Sequence, residues 1–203
     1  MDDCEITEEL IAVWKSMADH FLDTETRHDI PHTALLCLRA GLSVEEAHAV
    51  WLREVSPVVG ANLLSVAGEW AAWDEEWLVG EVRTRAPRRR SRPRGRPLAK
   101  LLARLRPDLN SSVWRSVERC MRELAEAPPE RRDTLAEDLC LLARHYFDIG
   151  RWSEPALADS RRERLTTLSP TLFGILEPVT LGDERAAARE RVERVLSERP
   201  GGA

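Results

Sequence analysis

Apolar residues recur at three- and four-residue steps along most of the chain. Leu10, Ile11, Trp14, Met17, Ala18 and Phe21 form one stripe, the spacing of a helix with a single buried face. Thr7 before it carries an N-cap oxygen, and Glu8 and Glu9 suit the positive end of the helix dipole. A second helix is predicted from near Pro31 to Gly41, because proline fits a first helical position and glycine fits a stop. Ser43-Val44-Glu45-Glu46 is a capping box. It opens a third helix through Ala47, Val50, Trp51 and Glu54, which Pro57 should end. Asp74 caps a fourth, from about Glu75 to Val82.

The second half follows the same period. Leu98 to Leu105 predicts a short helix stopped before Pro107. Ser111 or Ser112 then caps a longer one carrying Val113, Trp114, Val117, Cys120, Met121 and Leu124. A strong helix follows Pro128-Pro129 and runs to Gly150, while Ser153, Ser169-Pro170 and Asp183 mark further helix starts. The last helix is mostly Arg and Glu, with Glu190 and Arg194 one turn apart and a seam of Val192, Val195 and Leu196. Only Val55 to Val59 resembles a strand, and Pro57 interrupts it. The fold class predicted is all-α.

Charge divides the chain into three parts. Residues 1–80 are net −12, residues 81–106 net +10, and residues 107–203 net −3. The centre, from Ala86 to Pro97, has three prolines, one glycine and no apolar side chain larger than alanine. Such a stretch cannot bury anything, and its like charges repel. The expected arrangement is two small helical bundles joined by an Arg/Pro-rich linker: an acidic domain over 1–83, a basic linker over 84–97 and a second helical domain over 98–203.

With 203 residues and 43% hydrophobic content there is enough apolar material for a packed core. No apolar run approaches the roughly 20 residues that cross a bilayer, and the acidic start, Met1-Asp2-Asp3-Cys4-Glu5, lacks the order of a signal peptide. A cytoplasmic protein is expected. Cys4, Cys37, Cys120 and Cys140 are far apart with no C-x-x-C pair, so a zinc knuckle is not expected. The last three read as small core residues. Arg outnumbers Lys by 28 to 2, a bias that GC-rich bacterial coding would give without any function.

Several constellations invite a chemical reading. His20, Asp23, Glu25, His28, Asp29 and His32 fall within thirteen residues. His28 and His32 stand four apart, as helical metal ligands do, but Pro31 disfavours a helix through Ile30. They are candidate ligands against a simpler reading of solvated or capping groups; no metal or other cofactor is expected. Residues 34–47 resemble a helix-turn-helix, yet the helix that would enter the groove shows Glu45, Glu46 and Glu54 against Arg53 alone. Those carboxylates would face phosphates, so an ordinary helical hairpin is expected. Trp70, Trp73 and Trp77 lie at helical steps, either as core or as an exposed row that grips a partner. Gly-rich phosphate loops, G-x-S-x-G and dinucleotide fingerprints are all missing, so no enzyme is expected.

Ordered motifs carry a resemblance to a known family. Val13-Trp14 opens a helix, followed by Phe21-Leu22-Asp23-Thr24-Glu25, Glu54-Val55-Ser56-Pro57-Val58-Val59, Asn62-Leu63 and Trp70-Ala71-Ala72-Trp73-Asp74-Glu75-Glu76-Trp77-Leu78. Over about residues 13–82 the chain resembles a bacterial domain family of unknown function. The resemblance implies a compact helical domain and supplies no activity, cofactor or partner. Asp23, Glu25, Glu54, Trp70 and Trp73 are interaction candidates at its shared positions. Glu54 is expected to pair with Arg53 or Arg27, and Asn62 to cap a turn.

The leading functional expectation is a non-enzymatic protein–protein interaction protein whose acidic N-terminal domain meets a basic partner, a profile shared by toxin-neutralising proteins by analogy of composition only. The alternative is weak nucleic-acid binding by segment 83–106, through Arg88, Arg89, Arg90, Arg92, Arg94 and Arg96. The Arg-rich stretch can equally fold back onto the acidic domain. No membrane association is expected, and the sequence leaves oligomeric state open.

Overall fold

The computed structural model describes residues 6–22, 25–59, 73–90, 107–149 and 159–197, with the backbone alone for 85–90 and 107–110. Every regular element among these residues is helical. Helix α1 spans Glu8–Asp19, a single 3-10 turn covers Arg27–Asp29, and α2 is Ile30–Arg39. Helix α3 (Val44–Val50) runs through a π-helical turn, Trp51–Val55, into the short α4, Ser56–Val59. Then come α5 (Glu75–Arg90), α6 (Pro107–Glu126), α7 (Pro129–Tyr146) and α8 (Asp159–Leu176). A 3-10 turn, Glu177–Val179, leads into α9, Gly182–Ser197. Among the described residues no helix is long and apolar enough to cross a membrane.

The local signals work as their chemistry requires. The Leu10 amide donates to Thr7 Oγ1 at 3.3 Å. The capping box is complete, with Glu46 N donating to Ser43 Oγ at 3.2 Å and Ser43 N to Glu46 Oε2 at 2.9 Å. Trp77 N donates to Asp74 Oδ1 at 2.8 Å. Gly41, past the end of α2, has φ +69°, which a side chain would resist. Helix α7 stops earlier than expected: Asp148 takes the left-handed conformation at φ 56°, and Gly150 lies outside the described residues.

Prolines behave differently from the expectation that they stop helices. Pro57 does not end α3, and Val55–Val59 is helical rather than extended. The wider π turn passes Pro57 on into α4, and Ser56 Oγ donates back to the Trp51 carbonyl at 2.7 Å. Ser169-Pro170 is inside α8 and starts nothing. The missing Pro170 amide would have served the Thr166 carbonyl, which accepts from Ser169 Oγ at 3.0 Å instead. Pro107 opens α6, so Ser111 and Ser112 lie within that helix and do not cap it. The helix expected over 98–105 and the start at Ser153 fall outside the described residues.

The expected pair of bundles is not what the core shows. Helix α2 buries Ile30, Pro31, Thr33, Ala34, Leu35 and Cys37, and its half-buried Leu36 and Leu38 also pack on the core. A helix apolar nearly all round needs neighbours on every side. α1 covers one side, while α6 and α7, from beyond the Arg-rich stretch, make its other main contacts. Buried residues from both halves accordingly form one hydrophobic cluster. Helix α5 continues to Arg90, into the stretch expected as linker. The seam of α9 packs inward, with Ala188 and Val192 buried against the rest of the chain, and Glu190 meets Arg194 at 3.4 Å. Cys37 and Cys120 are buried free thiols and Cys140 is partly buried; burial pushes Cys37 and Cys140 up to about 12. They are inert core residues in this state.

One buried polar bond ties the first half together. Glu54, 3% exposed on the π turn, accepts from Trp14 Nε1 at 3.0 Å. Replacing Trp14 by Phe should lower stability by about 2 kcal/mol, because a buried carboxylate loses its indole donor. Adding Glu54→Leu should recover part of that loss. Urea denaturation checks both; an unchanged midpoint for Trp14→Phe would show that the bond contributes nothing.

Candidate functional site

The start of α5 concentrates exposed acid and aromatic surface. Trp73 enters the core just before the helix, and its Nε1–H donates to the Ala18 carbonyl at 3.0 Å. Trp77, one turn on, remains 43% exposed and lies against the Trp73 ring with centroids 6.3 Å apart and planes 19° from parallel. Asp74, Glu75 and Glu76 surround this pair on the first turn, all exposed, where the helix dipole favours them. Lys15 reaches Glu75. Asp19, at the end of α1, is pushed up to about 6 by partial burial and by the like charges of Asp29 and Glu75.

The histidines do not assemble as a metal centre. His20 Nε2 bonds with Thr33 Oγ1 at 2.9 Å, and the same hydroxyl lies 2.7 Å from Ser16 Oγ. Burial, with a smaller contribution from His28, pushes His20 down to about 4. His28 sits in the first 3-10 turn, 3.2 Å from Asp29 Oδ2, whereas His32 is exposed on α2. The two do not share one helix face, because α2 begins only at Ile30. Among the described residues no group of three His, Cys, Asp or Glu side chains could hold a metal ion.

Glu25 and Glu54 have structural partners. Glu25 accepts from Arg27 Nε at 2.8 and 2.9 Å; burial opposes its ionisation, but the bonds from Arg27 prevail and hold the carboxyl below its usual range. Arg27 in turn donates to the Val179 carbonyl at 2.7 Å, stacks 4.4 Å above the Phe147 ring and approaches Glu184 at 3.9 Å. It is committed to joining the first 3-10 turn to α7 and α9. Glu54 bonds with Trp14 across the core, a partner that neither expected pairing, with Arg53 or with Arg27, had named. Of the two described members of the tryptophan row, Trp73 is buried and Trp77 is exposed. Asp23, Asn62 and Trp70 lie outside the described residues. The helix that a helix-turn-helix would insert into DNA has His48 stacked on Trp114 of α6, centroids 4.6 Å apart at 9°.

Arg88, Arg89 and Arg90 belong to the last turn of α5, whereas Arg92, Arg94 and Arg96 lie outside the described residues. A cavity of about 330 Å³, lined among others by Arg27, Tyr146, Phe147, Thr180, Glu184 and Arg191, opens where the first 3-10 turn meets α7 and α9. Sequence reading missed it because its walls come from three distant segments. The exposure of Trp77 was missed for another reason: helical spacing alone does not say which of three tryptophans faces out.

The chain belongs to the family described as Domain of unknown function (DUF7079), whose model matches residues 8–120. The match begins with α1, crosses the Arg-rich stretch and ends within α6; the resemblance read over residues 13–82 falls inside it. No curated protein and no solved structure matches the chain.

The two shifted groups at the end of α1 act in opposite directions on stability. Folded His20 titrates near 4 against 6.5 unperturbed, so its contribution is complete above pH 6.5 and is lost as pH falls through that interval. Folded Asp19 titrates near 6 against 3.8, so its contribution is present below pH 3.8 and is lost as pH rises towards 6. His20→Gln should flatten the acid-side fall of the unfolding free energy relative to the unmodified chain, by up to about 3 kcal/mol at the low-pH limit, as denaturant titrations across pH would read it. Parallel pH profiles for the two proteins would remove this role for His20.

Proposed function

We propose that this member of the DUF7079 family is a non-enzymatic binding protein of the cytoplasm whose acidic N-terminal face meets a basic surface on another protein. The observation that carries the reading is the excess of exposed carboxylates at the starts of α1, α3 and α5. Glu8, Glu9, Glu45, Glu46, Asp74, Glu75 and Glu76 are all exposed, within a segment of net −12. A field of one sign attracts partners of the other and speeds their encounter. The buried carboxylate Glu54 is bonded within the core, whereas these seven stand at the surface, where a partner can meet them.

A second reading, weak nucleic-acid binding through residues 83–106, is favoured by the continuation of α5 to Arg90, which sets Arg88, Arg89 and Arg90 on consecutive helical positions. Its affinity would be salt-dependent and indifferent to sequence.

Affinity capture with the full chain separates the two. The acidic-face reading expects a captured protein that is basic and is lost about tenfold on raising salt from dilute buffer to physiological strength. The quadruple replacement Glu8→Gln, Glu9→Gln, Glu45→Gln and Glu76→Gln should weaken capture similarly. A salt-insensitive complex, or an acidic partner, would sink it. Gel shifts with Arg88 to Arg96 replaced by Gly and Ser test the second reading: unchanged retention of nucleic acid removes the segment as the binder.

A further inference from the structure

We infer that the exposed indole of Trp77, at the acidic start of α5, is the docking point for an arginine side chain of a basic protein partner. This rests on the acidic-face reading and adds to it a place and a residue chemistry.

The aromatic platform is already organised. Trp73 is fixed from below by its bond to the Ala18 carbonyl and supports one side of the Trp77 ring. Trp77 therefore offers a large apolar surface that loses little freedom when covered, as interface anchors do. The neighbouring π-helical turn, which packs against α5, exposes Leu52 as well. An apolar face of this kind would suit any partner; its surroundings narrow the choice. Asp74, Glu75 and Glu76 lie within one turn, and Lys15 pairs with Glu75. Glu76 makes no ion pair with a described residue.

A flat guanidinium satisfies both demands at once: it stacks on an indole and forks onto a carboxylate, whereas an ammonium is a compact, strongly hydrated charge. Among the described residues, Arg27 lies 4.4 Å above the Phe147 ring while bonding Glu25, and Arg189 lies 5.0 Å above the Phe173 ring.

The test uses the full chain and two synthetic peptides of equal length, one oligo-arginine and one oligo-lysine, titrated at low salt. The arginine peptide should bind about fivefold more tightly than the lysine peptide. Trp77→Leu, which keeps apolar surface and removes the ring, should abolish that preference while weaker binding of both peptides remains. Glu76→Gln should weaken both. Circular dichroism confirms that each variant is folded. An equal affinity for the two peptides, or a preference that survives Trp77→Leu, overturns the docking point and leaves the acidic face standing. If neither peptide binds, both readings fall. Two other occupants would also overturn it. One is the chain's own basic stretch, revealed if peptide binding appears only after Arg92, Arg94 and Arg96 are replaced by Ser. The other is a second copy, revealed by a dimer that Trp77→Leu dissociates.

Discussion

Helix α2 leaves little but His32 and Arg39 to water. Each buried aliphatic side chain along it contributes roughly 1.5–3 kcal/mol only if something covers it, and α1 alone covers only part of the circumference. α6 and α7 supply the rest, although they lie beyond the most basic and least apolar stretch of the sequence. The demand of one short helix thus draws both halves into a common core. The one hydroxyl that α2 buries, on Thr33, is matched by Ser16 and His20 at the end of α1.

Sharing a core changes what the arginines are for. Much of the basic composition is absorbed as carbonyl caps and cross-helix ties. Arg191 bonds the Tyr146 carbonyl at 3.1 and 2.6 Å, Arg119 bonds that of Gly174 at 2.6 Å, and Arg27 that of Val179. Asp138, almost fully buried, draws Arg161 and Arg164 to 3.1 and 3.2 Å, which compensates the cost of burying its charge. These guanidiniums satisfy orphan carbonyls near helix ends.

Much of this was legible from local chemistry. Thr7, Ser43 with Glu46, and Asp74 each act within three residues of their partners, so reading them needs no knowledge of the fold. The buried stripe of α1 and the seam of α9 were legible for the same reason. Pro31 and Pro129 were legible as helix starts, but Pro57 and Pro170 were not, because the effect of a proline inside a helix depends on what serves the carbonyl it deserts. Both Ser-Pro pairs looked like boundaries and lie inside continuous helical segments, with the serine hydroxyl donating back to the preceding turn. The spread of α2 contacts was written in Ile30 to Arg39, an almost continuous apolar sequence, but a periodicity search sees a helix there and not the number of neighbours it requires. Trp77 and the cavity beside Arg27 depend on packing between distant segments, for which spacing along the chain carries no signal.

The π-helical turn fixes more than the path past Pro57. Trp51, Glu54 and Val55 point inward from it, and Val58 and Val59 follow one turn later. Each residue added to or removed from a helix rotates everything downstream by about 100°. Dropping one position between Trp51 and Val55 would swing the carboxylate away from Trp14 and carry both valines off the core together. Relatives that preserve this packing are therefore free to vary in side chain here, within limits of size, but not in the count of residues.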